Sequence, residues 1–68
     1  MSFKSNLKDV PGTLKRQTPL AWLVVSDFTG KEGWVPKSVG ELEPEDATDG
    51  ESVTITLPSN MAAEKELI

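Results

Sequence analysis

A chain of 68 residues with no cysteine and no histidine excludes disulfides, thiolate zinc sites, cysteine nucleophiles and imidazole bases. Its formal net charge is -4, and no run approaches the roughly 18 apolar residues of a membrane span. This length supports one domain with a modest core, because about 60% of the unfolded surface is buried at such sizes.

Residues 1–19 show no sustained periodicity. Pro11, Gly12 and Pro19 punctuate them, so they read as a flexible or loosely docked basic arm ahead of a small domain at 20–68. Phe3, Leu7 and Val10 are spaced for one amphipathic helical turn, which Pro11 would stop. Lys4, Lys8, Lys15 and Arg16 against Asp9 give residues 1–18 a net +3. The opening residues lack the apolar stretch of a signal peptide, so the expected location is the cytoplasm.

Residues 20–25 are apolar at every position and rich in β-favouring types, the pattern of a strand buried on both faces. Two glycines and several polar residues follow, and Trp34-Val35 then resumes an extended run. This predicts an antiparallel pair, roughly 20–26 with 33–38. Pro36 has no N–H to donate, which places that second strand at an edge or a bulge. Glu41-Leu42-Glu43 is a short alternating continuation.

Residues 41–52 carry six carboxylates and no cation, a charge of -6 that marks a solvated acidic loop. Val53, Ile55 and Leu57 alternate with two threonines, the clearest strand signature in the chain. Pro58 ends it, and Ser59 or Asn60 can cap a helix running through 61–68. The predicted fold is therefore α+β: a small antiparallel sheet of three to four strands with a short C-terminal helix.

Two resemblances rest on particular residues. The stretch from Ala21 to Ile68, with its Trp34-Val35-Pro36-Lys37-Ser38 segment, acidic spacer, alternating strand, proline and Ala/Glu/Lys helix, resembles small proteins encoded by bacteriophages and prophages. Val39-Gly40 departs from that pattern. Ala21-Trp22-Leu23, followed by residues 29–36, is similar to the late hairpin of SH3 domains. That likeness implies a curled sheet but not peptide binding, because Val39 stands where that family has an aromatic.

Candidate chemistry is sparse. The acidic loop fails the calcium-loop pattern, since counting from Glu45 the third position is Ala47 and the twelfth Thr56. Gly30-Lys31 lacks the upstream glycine and the following hydroxyl of a phosphate loop. Glu43 and Glu45 have no apolar pocket to separate their pKa values. The expectation is a binding protein that is not an enzyme and carries no cofactor and no metal.

The partner-binding candidates are Phe28, Lys31, Trp34, Pro36 and Lys37 on or near the second strand, with Glu43, Glu45, Asp46 and Asp49 in the acidic loop. They fit a phage-type accessory protein that binds a host or viral protein, as an inhibitor or as a mimic of nucleic-acid phosphates through its carboxylates. Phe28, Lys31, Trp34 and Lys37 would alternatively serve as a stacking and phosphate platform for single-stranded nucleic acid. Self-association as a homodimer along an edge strand is the third reading. No membrane contact is expected.

Overall fold

In the computed structural model, which describes residues 6–68, five strands and a helix follow in chain order: β1 Leu7–Gln17, β2 Ala21–Ser26, β3 Glu32–Pro36, β4 Glu41–Glu43, β5 Ser52–Pro58 and α1 Ser59–Glu64. All pairings are antiparallel and the strand order is β3-β2-β1-β5-β4. Chain-adjacent strands are therefore neighbours everywhere except between β3 and β4. The α+β expectation holds, with five strands in place of three or four.

The hydrophobic alternation places one set of side chains on a common inner face. Val10 and Leu14 of β1, Trp22 and Val24 of β2, Val35 of β3, Leu42 of β4 and Val53, Ile55 and Leu57 of β5 form one core with Ala47, Ala62 and Leu67. Val35 and Leu42 sit on opposite edge strands yet share this core. A Cβ on Gly40 would lie 3.0 Å from Val35 Cγ1 and 3.0 Å from the Thr56 carbonyl oxygen. The sheet thus curls until its two edges approach, leaving a seam between β3 and β4.

The largest departure from expectation is β1. Residues 7–17 are no arm: they form the middle strand of the sheet, paired to β2 on one side and β5 on the other. Pro11 is tolerated because its missing N–H falls at the last rung of the β1–β2 ladder. There the Pro11 carbonyl accepts from Asp27 N–H at 2.9 Å as β2 leaves for its turn. Gly12 is required beside it, since a Cβ there would stand 2.2 Å from the Val25 carbonyl oxygen. Phe3 and Lys4 lie outside the described residues, so the helical turn expected to begin at Phe3 does too; from Leu7 onward that segment is strand.

The β2–β3 hairpin forms as expected, with Leu23 opposite Trp34 and Trp22 opposite Val35. Among the described residues no second layer covers its outer face. Leu23 is buried there, outside the core, between neighbours Arg16 and Trp34 in the same cross-strand row. A register shift between Leu14 and Arg16 makes Lys15 an extra residue in β1.

The helix is shorter than the expected 61–68. Pro58 stands at its N-cap with no side-chain cap bond, and the helix ends at Glu64. Glu66 adopts φ 61°, and its N–H bonds the Ala63 carbonyl while Leu67 N–H bonds the Ala62 carbonyl. This paired reversal closes the helix and drops Leu67 into the core against the side where Ala62 is buried.

Residues 65–68 then lie across the β2–β3 hairpin. Ser26 Oγ donates to the Leu67 carbonyl, Thr29 Oγ1 donates to the Glu66 carbonyl, and Lys31 pairs with Glu66 at 3.7 Å. Gly33 faces inward without a side chain, and a Cβ there would be 3.3 Å from Lys65 Cβ. No helix among the described residues is long and apolar enough to cross a membrane.

Candidate functional site

The β3 strand lies at one end of the sheet order, the place its proline predicts. Backbone bonds at its two ends settle which residues face β2: Ser26 N–H donates to the Lys31 carbonyl at 2.9 Å and Lys37 N–H to the Leu20 carbonyl at 2.8 Å. By antiparallel alternation Gly33 and Val35 also turn their backbone groups to β2. Glu32 and Trp34 therefore point N–H and C=O away from the sheet. Pro36 occupies the next such position, where it presents no donor, and its carbonyl accepts from Val39 N–H at 3.2 Å.

Trp34 is 43% exposed and stands beside Leu23 on the outer face, so a large aromatic surface coincides with a backbone edge that pairs with no strand among the described residues. On the same face Lys15 reaches across to Glu32 at 2.7 Å. Arg16 has no carboxylate partner among the described residues.

The other basic and aromatic candidates do not gather around Trp34. Phe28 is exposed at the hairpin tip, with its N–H on Ser26 Oγ, and Glu32 and Gly33 separate that tip from Trp34 along β3. Lys31 is drawn to Glu66. Lys37 folds over the Trp22 ring, its Nζ 5.4 Å from the ring centroid and 3.3 Å from Gln17 Oε1. The single platform of Phe28, Lys31, Trp34 and Lys37 is thus divided over three places.

The acidic candidates divide as well. Glu43 and Glu45 line a cleft of about 660 Å³ that runs over the β4 edge, whereas Asp46 and Asp49 are exposed outside it. The cleft also takes in Asp9, Glu41, Thr54 and Thr56 from the outer face and Trp22, Gly40 and Leu42 from the seam. Among the described residues four carboxylates and no cation line it. Asp9 accepts a 2.7 Å bond from Thr56 Oγ1, its cross-strand neighbour.

Asp9 was not among the sequence candidates, because only the β1–β5–β4 pairing brings it to Glu41 and Glu43. The Thr56 row, with Asp9 on one side and Glu41 on the other, is the structural cause. Glu51, the last carboxylate of the loop, is used locally. Its Oε1 accepts from Thr48 N–H and Thr48 Oγ1, and these bonds hold its pKa below the ordinary 4.5. Among the described residues no group of histidine, cysteine and carboxylate side chains is arranged to hold a metal ion.

No family model, curated protein or solved structure matches the chain.

Proposed function

We propose that this protein is a non-enzymatic binding module that docks another protein along β3, through Trp34 and the unpaired backbone of Glu32 and Trp34. The observation that carries the reading is the coincidence of an exposed indole and free ladder groups on one edge strand. Strand addition at such an edge draws affinity from main-chain bonds and specificity from alternate side chains. The resemblance of the stretch from Ala21 to Ile68 to short phage-encoded proteins makes a host or viral protein, met in the host cytoplasm, the partner class to try first.

Selection of random peptides displayed on phage, against the intact protein and against a Trp34→Ala variant, tests the reading. Peptides retained by the parent and lost with Trp34→Ala support it. Peptides that bind both proteins equally, or a selection that enriches nothing, overturn it.

A second reading has its own observation. Asp9, Glu41, Glu43 and Glu45 present an unbroken negative rim, so an inhibitor that stands in for nucleic-acid phosphates would offer this face to a basic partner. A Glu41→Lys/Glu43→Lys variant that captures the same partners as the parent would remove it. The single-stranded nucleic-acid reading is weakened by the dispersal of Phe28, Lys31 and Lys37 away from Trp34.

A further inference from the structure

Residues 61–67 read Met-Ala-Ala-Glu-Lys-Glu-Leu, a run drawn wholly from strong helix formers, yet the helix stops at Glu64. The stop is made at Glu66, which among the described residues is the one position other than glycine with positive φ, at 61°. A left-handed helix end ordinarily falls to glycine, because a Cβ crowds the backbone there. Local preference and observed conformation therefore disagree at Glu66, so contacts elsewhere in the fold must hold it.

The backbone bonds around this reversal have a second arrangement. Glu66 N–H bonds the Ala63 carbonyl at 3.0 Å and Leu67 N–H the Ala62 carbonyl at 2.8 Å. Were α1 to run on, each N–H would bond the carbonyl four residues back, Glu66 to Ala62 and Leu67 to Ala63. The same two donors and the same two acceptors serve both forms, with partners exchanged. Lys65 N–H already bonds its helical partner, the Met61 carbonyl, at 3.0 Å. Lengthening the helix therefore strands none of these backbone groups, the penalty that ordinarily fixes a segment in one conformation.

Side-chain contacts with the β2–β3 hairpin hold the reversed form. Leu67 is fully buried, Ser26 Oγ donates to its carbonyl, and Thr29 Oγ1 donates to the Glu66 carbonyl at 2.6 Å. The exposed pair of Lys31 and Glu66, 3.7 Å apart, adds little. Gly33 leaves room for the packing: a Cβ on it would stand 3.3 Å from Lys65 Cβ and 3.6 Å from Leu67 Cδ2. One apolar plug and two hydroxyl bonds are thus set against a strained φ and a helix-forming run.

We infer that residues 65–68 are a two-state latch. Closed, Leu67 plugs the core beneath the hairpin; open, α1 continues through Leu67, and the Ser26 hydroxyl and the inner face of β3 at Gly33 are bared. The latch goes beyond the docking reading and stands without it, since it needs no partner and bears on the inner face of β3 and not on its edge. Opening breaks only the contacts just named, so the open form is reached from the folded state with the sheet intact.

Chemical-exchange saturation transfer NMR on the intact, isotope-labelled protein reads the Cα shifts of such a minor form. Exchange is expected at Ser26, Gly33 and residues 65–68, with helical minor-form shifts at Glu66 and Leu67. Glu66→Gly should reduce the open population about tenfold, because glycine is freed in the left-handed form and disfavoured in the helix. Ser26→Ala, which removes a bond from the closed form alone, should raise it about fivefold. Leu67→Ala should make the open form the major one, with helical shifts at positions 65–67 and the amide pattern of the sheet retained.

Random-coil shifts at positions 66 and 67 in the minor form would reveal a frayed tail and overturn the inference. Exchange absent from both the parent and Ser26→Ala would overturn it too, as would a Glu66 that stays left-handed in Leu67→Ala.

Discussion

Ser26 and Leu67 are joined across 41 residues of sequence: the Ser26 hydroxyl, on a side chain only 1% exposed, donates to the Leu67 carbonyl. The same oxygen accepts Phe28 N–H at 3.1 Å. One buried hydroxyl therefore ties the chain's last residues to the core strand and to the hairpin turn. Ser26→Ala removes a donor from one and an acceptor from the other, and should cost about 1–3 kcal/mol in urea unfolding. An unchanged midpoint would show that residues 65–68 are not held through this bond.

Leu67 fills the core from the tail and is fully buried, whereas Leu20 is 80% exposed. Leu67→Ala should cost about 2–5 kcal/mol through lost burial and the cavity left behind. Leu20→Ala should fall within about 0.5 kcal/mol of the parent. Denaturant melts of the two variants side by side separate a packed tail from a loose one.

Glu66 holds the left-handed conformation that reverses the helix. A β-branched residue is a steric outlier at positive φ, so Glu66→Val should lose about 1–2 kcal/mol. Glu66→Gly should remain within about 0.5 kcal/mol of the parent or exceed it, because glycine reaches that region freely and the exposed Lys31 pair contributes little. Thermal melts of both variants check this.

Gly12→Ala should be the most damaging of the glycine substitutions. Its Cβ would meet the Val25 carbonyl at 2.2 Å, a backbone atom that cannot swing aside, and the cost should reach about 3 kcal/mol or more. A soluble Gly12→Ala protein with the parent's unfolding midpoint would contradict the central placement of β1.

The Thr48–Glu51 contact gives an acid-side signature. Because hydrogen bonds lower the folded pKa of Glu51, its contribution to stability is present above 4.5 and is lost as pH falls through the lower folded value. The stability gap between the parent and Glu51→Gln should therefore be constant above that range and shrink on acidification. Unfolding measured across the acid range decides it, and a gap that widens at low pH would reverse the assignment.

The parts of this fold legible in the sequence were those governed by one local rule. Strict alternation marked β5, and the missing N–H of Pro36 put β3 at an edge. Leu42 between two glutamates read as a continuation of the second strand, whereas the structure sets it apart as β4 at the opposite edge, beside β5. What hid β1 was a pair of residues that usually break strands: Pro11 is harmless only because β2 departs at Asp27, and Gly12 is needed only because Val25 passes so close. The extra residue at Lys15 also shifts the alternation part-way along the strand.

The candidate surface was legible in the same partial way. Trp34 and Pro36 stood out as an exposed-edge signature. The acidic row beside β4 depends on pairing between strands far apart in sequence, so Asp9 gained its place only from the folded sheet.

The central claim is that β3 is the docking strand, and the most direct measurement is the backbone chemical-shift map of the protein with a peptide obtained by selection on the parent. The account predicts that the largest shifts fall on residues 32–35, with the Glu32 and Trp34 amides most affected and Phe28 little changed. Shifts concentrated on residues 41–45 at the acidic cleft, with β3 silent, would contradict it.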